Sequence, residues 1–112
     1  MLIYKIFRAP EWQAFQAAGT TRGAPIDLTD GYIHFSTAAQ AAETAAKHFA
    51  SMGDLVLLAL DPKALGTDLQ WEPSRGDQLF PHLYRDLMLD DVLWHRPLPL
   101  IAGRHAFPAD MT

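Results

Sequence analysis

The sequence predicts an α+β domain. Strand-like segments recur from one end of the chain to the other, whereas the two helix-like segments both fall in the N-terminal half. There is no regular alternation of strand and helix of the kind that builds a parallel sheet. At 112 residues, with 49% hydrophobic and 20% charged positions, the chain has the size and composition of one globular domain. A core of about residues 1–100 and a tail of 101–112 are expected.

Residues 2–7 form the first predicted strand. Leu2, Tyr4 and Ile6 point one way, and Ile3, Lys5 and Phe7 the other. Both faces are largely apolar, which predicts a central strand. Lys5 then sits between apolar neighbours, where a bare ammonium is costly. It either meets a partner or ligand, or it snorkels to solvent.

A helix follows. Pro10 suits the first helical position, Glu11 the positive end, and Gly19 the C-terminal cap. Trp12, Phe15 and Ala18 share one face as a core stripe. The polar, turn-rich residues 19–30 read as a surface loop.

The second strand, 31–36, sends Ile33 and Phe35 to one side and Tyr32, His34 and Ser36 to the other. Thr37-Ala38-Ala39-Gln40 then has the spacing of a helix capping box, opening an alanine-rich helix that runs to about Phe49. This order sets unpaired backbone N–H groups and a partial positive charge beside Ser36, where an anionic or carbonyl ligand is favoured.

The continuous apolar run 55–60 predicts a buried strand, closed by Asp61-Pro62. Residues 68–72 alternate, with Leu69 and Trp71 against Gln70 and Glu72, and stop at Pro73. A loop at 74–78 carries Arg75-Gly76. The stretch 79–87 mixes Phe80, Leu83 and Leu87 with His82, Tyr84 and Arg85. A turn at Leu89-Asp90-Asp91 precedes a last strand, 92–96. Pro97 and Pro99 end the regular structure and leave the tail as an arm or a frayed end.

Composition excludes several classes of function. With no cysteine there is no disulfide framework, thiolate metal site or cysteine nucleophile, and the cytosol is the simplest compartment. The N-terminus lacks the pattern of a signal peptide, and no apolar run approaches the roughly 20 residues of a membrane span. A formal charge of −4 gives no basic face for extended nucleic acid, although one nucleotide needs only one or two well-placed cations. The five histidines show no helical ligand spacing, so no metal is predicted. Gly-x-Gly-x-x-Gly and Walker-type loops are absent.

Three groups of residues could carry chemistry. His34 and Ser36, two apart on a strand, can address one ligand with an imidazole and a hydroxyl; alternatively His34 is a satisfied sheet histidine and Ser36 or Thr37 a helix cap. A serine hydrolase is disfavoured, because no Gly-x-Ser-x-Gly elbow is present. Glu72, at a strand end before a proline, can bond a ribose hydroxyl or stabilise a cation developing on a sugar ring; alternatively it is a solvated strand-end acid. His82 and Tyr84 project together if the stretch is extended, suiting contact with a base; alternatively Tyr84 anchors the loop and His82 lies on the surface.

Several blocks together resemble one family, the small bacterial proteins of unknown function known as DUF952. They are Ile3-Tyr4-Lys5-Ile6 with Trp12, Asp30-Gly31-Tyr32-Ile33-His34-Phe35-Ser36-Thr37 with Gln40, Asp54-Leu55-Val56-Leu57-Leu58, Leu69-Gln70-Trp71-Glu72 and Phe80-Pro81-His82-Leu83-Tyr84. The family is similar to a compact ADP-ribosyltransferase fold, which includes the RNA 2′-phosphotransferases. That resemblance implies a small, split, curved, mainly antiparallel sheet with a cleft for NAD or an ADP-ribosylated substrate. It also implies an early-strand position near Lys5, a hydroxyl near Ser36 or Thr37, and a carboxylate near Glu72. The chain departs from the family pattern at Lys5, where many members have His, and at Arg85, where glycine is frequent.

The resulting expectation is a nucleotide-binding cleft, with the protein a transferase or hydrolase acting on NAD or an ADP-ribose-like compound. His34 and Glu72 are its expected catalytic residues. Lys5, Ser36, Thr37, Arg75, His82 and Tyr84 are its expected substrate-binding residues. The rival is a non-catalytic module that binds a small molecule or peptide in the same cleft. A third reading, an interaction protein with a purely structural polar cluster, also stands.

Overall fold

A strand with two apolar faces decides the architecture. In the computed structural model, which describes residues 1–112, this is β1 (Ile3–Arg8), and its first five residues are buried. The elements that follow are α1 (Ala9–Ala18), β2 (Thr20–Thr21), α2 (Pro25–Asp30), β3 (Ile33–His34), β4 (Ser36–Thr37) and α3 (Ala38–His48). Then come β5 (Leu55–Leu60), α4 (Pro62–Leu65), β6 (Leu69–Pro73), β7 (Leu79–Leu83), β8 (Leu87–Met88) and β9 (Val92–Leu98). A short hairpin, β10 (Leu100–Ile101) with β11 (Arg104–His105), completes the order.

Every strand pairing is antiparallel. One sheet has the order β4-β1-β5-β9 and a second the order β3-β7-β6; two small two-stranded ladders stand apart. The apolar run of β5 pairs with β1 along its whole length, from Ile3 opposite Leu60 to Arg8 opposite Leu55. The four-stranded sheet is covered on both faces. Ile3, Phe7, Leu58 and Leu60 meet Trp12 and Phe15 of α1 and Ile33, Leu69 and Leu83 of the other sheet. Tyr4, Ile6, Leu57 and Leu98 pack with Ala45 of α3, and Phe107 and Met111 close over them.

Four details differ from the sequence expectation. The strand expected over 31–36 is two strands: the chain leaves one sheet and joins the other at Phe35, while side-chain alternation continues through the switch. The presumed loop 19–30 contains β2 and α2, and the chain has four α-helices rather than two. The strand β9 runs through Pro97, which an edge position tolerates because no ladder bond needs its missing N–H. Residues 101–112 are no free arm. Leu2 N–H donates to Thr112 O (3.1 Å), Thr112 N–H to the Tyr4 hydroxyl (3.1 Å), and Arg96 grips Asp110 at 2.8 and 3.1 Å.

Candidate functional site

Lys5 needs a partner, and Asp27 supplies it. Pro25 at the first turn and Gly31 at the C-cap delimit α2, whose third residue, Asp27, points inward with no exposed side-chain area. Its Oδ2 accepts from Lys5 Nζ (2.7 Å) and from Ala24 N–H (2.7 Å); its Oδ1 accepts from His34 N–H (3.0 Å) and meets His34 Nδ1 at 2.6 Å. Lys5 also donates to the His34 carbonyl (3.0 Å). One carboxylate thus ties β1, α2 and β3 together. Gly23 makes room for it: a Cβ there would lie 2.3 Å from Oδ2, and the backbone φ of +101° suits only glycine. Burial works against the Asp27 charge, but the His34 hydrogen bond and the Lys5 ammonium outweigh it and hold the carboxyl below its ordinary range. Burial draws Lys5 down from its usual value, against the pull of Asp27.

A second imidazole–carboxylate pair stands opposite. His82 lies across from His34 in the β3–β7 register, and their ring centres are 5.3 Å apart. Its Nδ1 meets Glu72 Oε1 at 2.8 Å, and the Tyr84 hydroxyl donates to the same oxygen at 2.7 Å. Tyr84 and then His82 hold Glu72 below the usual carboxylate range, while the bond to Glu72 pushes Tyr84 up to about 12. Tyr32 packs against all three rings, at 4.6 Å from His34, 4.2 Å from His82 and 5.2 Å from Tyr84. Burial, then Asp30, raises its phenol.

Lys5, Tyr32, His34 and His82 border a cleft of about 630 Å³ between β7, β1 and one side of α3. Ala41, Thr44, Lys47 and His48 face it from α3, at the spacing of one helical face. On the far wall Arg75 lies over the Phe80 ring (4.8 Å) and donates to Thr44 Oγ1 (2.7 Å), which is 2.8 Å from Ser36 Oγ. Four of the nine Lys and Arg residues and three of the five histidines line this cleft, against two of the thirteen acids. No three His, Asp or Glu side chains are grouped so as to hold a metal ion.

Of the residues singled out in the sequence, Lys5, His34, Ser36, Arg75 and His82 converge on the cleft. Glu72 does not line it; it stands behind His82. Tyr84 lines a smaller neighbouring hollow of about 160 Å³, on whose wall Tyr32 also lies. Thr37 caps α3, its N–H donating to Gln40 Oε1 (3.1 Å), and the cleft meets the flank of that helix rather than its N-terminus. Asp27, the hub of the network, goes unnoticed in sequence because it falls in the presumed loop. Pro25 at a helix start and an unpaired Lys5 are the signals that could have found it. Arg8, Tyr32, Thr44, Lys47 and His48 are further cleft residues without a predicted role.

The model of the family described as a protein of unknown function, DUF952, matches residues 6–95. The chain belongs to the DUF952 family. This DUF952 protein is similar to protein CC0527 from Caulobacter crescentus. To the crystal structure of that protein it is 48% identical with a TM-score of 0.91, covering 95% of this chain and 94% of that one. To its solution NMR structure it is 49% identical with a TM-score of 0.83, covering 93% and 90%. Comparison with curated proteins gives no match. Neither the family description nor the names of these structures mentions a nucleotide or ADP-ribosylation. No helix is long and apolar enough to cross a membrane.

Proposed function

We propose that the cleft binds an anionic, nucleotide-like molecule and that the protein acts on NAD or an ADP-ribose-like compound as a transferase or hydrolase. The observation that carries this reading is the make-up of the lining. In a chain of net charge −4, four cations and three imidazoles line one hollow with two of the thirteen acids; Asp27, Glu11 and Glu43 pair with those cations, and Arg75 Nη1 keeps no hydrogen-bond partner. The volume of about 630 Å³ lies within the range of small-molecule sites. The family's resemblance to the ADP-ribosyltransferase fold favours NAD or ADP-ribose among anionic ligands.

In this reading His34, oriented through Nδ1 by a buried carboxylate, is the proton-transfer group. Ser36 holds a ribose or phosphate oxygen. Lys5 acts at one remove, its charge spent on Asp27, and Glu72 acts through His82 rather than on the sugar itself. Melting with NAD and with ADP-ribose, alongside an assay of NAD consumption, tests the reading. A rise in Tm and slow loss of NAD that His34→Ala abolishes are expected. An unchanged Tm at millimolar ligand would refute it.

One contact favours the non-catalytic alternative. Asp30 Oδ2 lies 2.9 Å from His34 Nε2, the nitrogen that would exchange a proton with substrate. A module of that kind raises Tm with ligand, never consumes NAD, and keeps its binding in Glu72→Gln.

A further inference from the structure

We infer that the β7 wall of the cleft recognises a hydroxyl and a phosphate carried by one ligand, the hydroxyl at His82 Nε2 and the phosphate at Arg75, so that the ligand class is a sugar phosphate. This rests on the reading of the cleft as a nucleotide-like site and names the part of the ligand that wall reads.

The His82 side chain is only 4% exposed and lines the cleft. Its Nδ1 faces the Glu72 carboxylate, an acceptor, so Nδ1 donates to it, and the neutral ring presents its lone pair at Nε2. No group of the chain donates to that nitrogen. An acceptor that opens on the cleft attracts a hydroxyl and disfavours a bare phosphate oxygen, which has nothing to donate.

Arg75 offers the complementary chemistry. Of its donors, one is spent, on Thr44 Oγ1. Its other terminal nitrogen, Nη1, is buried without a hydrogen-bond partner, with Glu43 Oε1 at 3.7 Å. A planar guanidinium laid on Phe80 with unspent donors is a group suited to two oxygens of a phosphate. Ser36 and Thr44 extend this end of the cleft as a pair of linked hydroxyls.

Phe80 and His82 are two apart on β7 and face the same side, so their side chains stand about 7 Å apart along the wall. The guanidinium resting on Phe80 and the imidazole are therefore spaced for the phosphate and a ring hydroxyl of one pentose phosphate. Neither residue alone would select that ligand.

NMR titration with ribose 5-phosphate, inorganic phosphate and ribose, read at the Arg75 side-chain N–H and the His82 ring nitrogens, tests the inference. Ribose 5-phosphate is expected to move both sets of signals and to bind at least tenfold more tightly than either fragment. Arg75→Met and His82→Phe, each checked for a folded amide spectrum, are each expected to weaken it at least tenfold. Glu72→Gln is expected to weaken it less and to change the His82 ring tautomer, as a positioning residue would. Inorganic phosphate binding as tightly as ribose 5-phosphate, or Arg75→Met binding it unchanged, overturns the inference. Binding of ADP-ribose that leaves Arg75 and His82 unmoved overturns it and leaves the anionic-cleft reading standing. Failure of both ADP-ribose and ribose 5-phosphate to bind removes both.

Discussion

His34 and His82 stand directly opposite one another across β3 and β7, and each turns its Nδ1 to a carboxylate from another element, Asp27 of α2 and Glu72 of β6. Both rings are therefore held in place by hydrogen bonds without any ligand, with Tyr32 packed against each. A ligand entering the cleft meets groups whose ordering cost is already met by folding.

Asp27 is the group on which that order depends. Asp27→Ala strands the Lys5 ammonium, whose side chain is 7% exposed, and leaves His34 N–H without its acceptor. A loss of about 3–5 kcal/mol is expected, as for other broken buried ion pairs. Urea unfolding measures it. Asp27→Leu combined with Lys5→Met is expected to recover much of the loss, because no buried charge then stands alone.

Acid should find the same pair. The Asp27 carboxyl is held below its ordinary value in the folded protein, whereas in the unfolded chain it titrates at about 3.9. Its contribution to stability is therefore complete above that pH and is lost as pH falls through the lower folded value. Stability measured from pH 6 to pH 2 is expected to fall steeply in the native protein and less steeply in Asp27→Asn.

Gly23 is expected to tolerate no side chain. Gly23→Ala places a methyl 2.3 Å from Asp27 Oδ2 at a φ of +101°, so either the carboxylate or the loop must move. A cost above about 1 kcal/mol is expected from the backbone alone. A loss approaching that of Asp27→Ala would show that the carboxylate is displaced. Thermal unfolding of the two variants side by side makes the comparison.

Strands β1, β5, β6 and β9 and the two longer helices were legible because their signals are local. Alternation on both faces of β1, the apolar run of β5 and the Thr-x-x-Gln spacing before α3 each sit within a few residues. Much of the site was legible for the same reason: Tyr32, His34 and Ser36 keep one face although the chain changes sheets at Phe35. Asp27 was hidden because its role depends on Lys5, 22 positions away, and because a six-residue helix carries too little periodicity to stand out from a loop. The position of Glu72 behind His82 depends on the β6–β7 register, which no local pattern specifies. The docked tail escapes notice because Phe107 and Met111 meet β1 and β5 residues only in three dimensions.

Tyr84 provides a spectroscopic check on the second pair. Its phenol, pushed up to about 12 by the Glu72 bond, is expected to titrate well above the ordinary tyrosine value of about 10. Glu72→Gln removes the carboxylate and should bring it back toward that value. Carbon-13 NMR of the ring Cζ follows the titration, with Tyr84→Phe assigning the signal. Titration near 10 in the native protein would mean that the Glu72 bond does not form.

Amide NMR mapping of ADP-ribose binding is the most direct measurement of the claim that this cleft is an anion-binding, nucleotide-like site. The largest shifts are expected at His34, Ser36, Thr44, Arg75 and His82, weakening as salt is raised because charges hold the ligand. Shifts confined to the outer face of β9, or none at millimolar ADP-ribose, would contradict it.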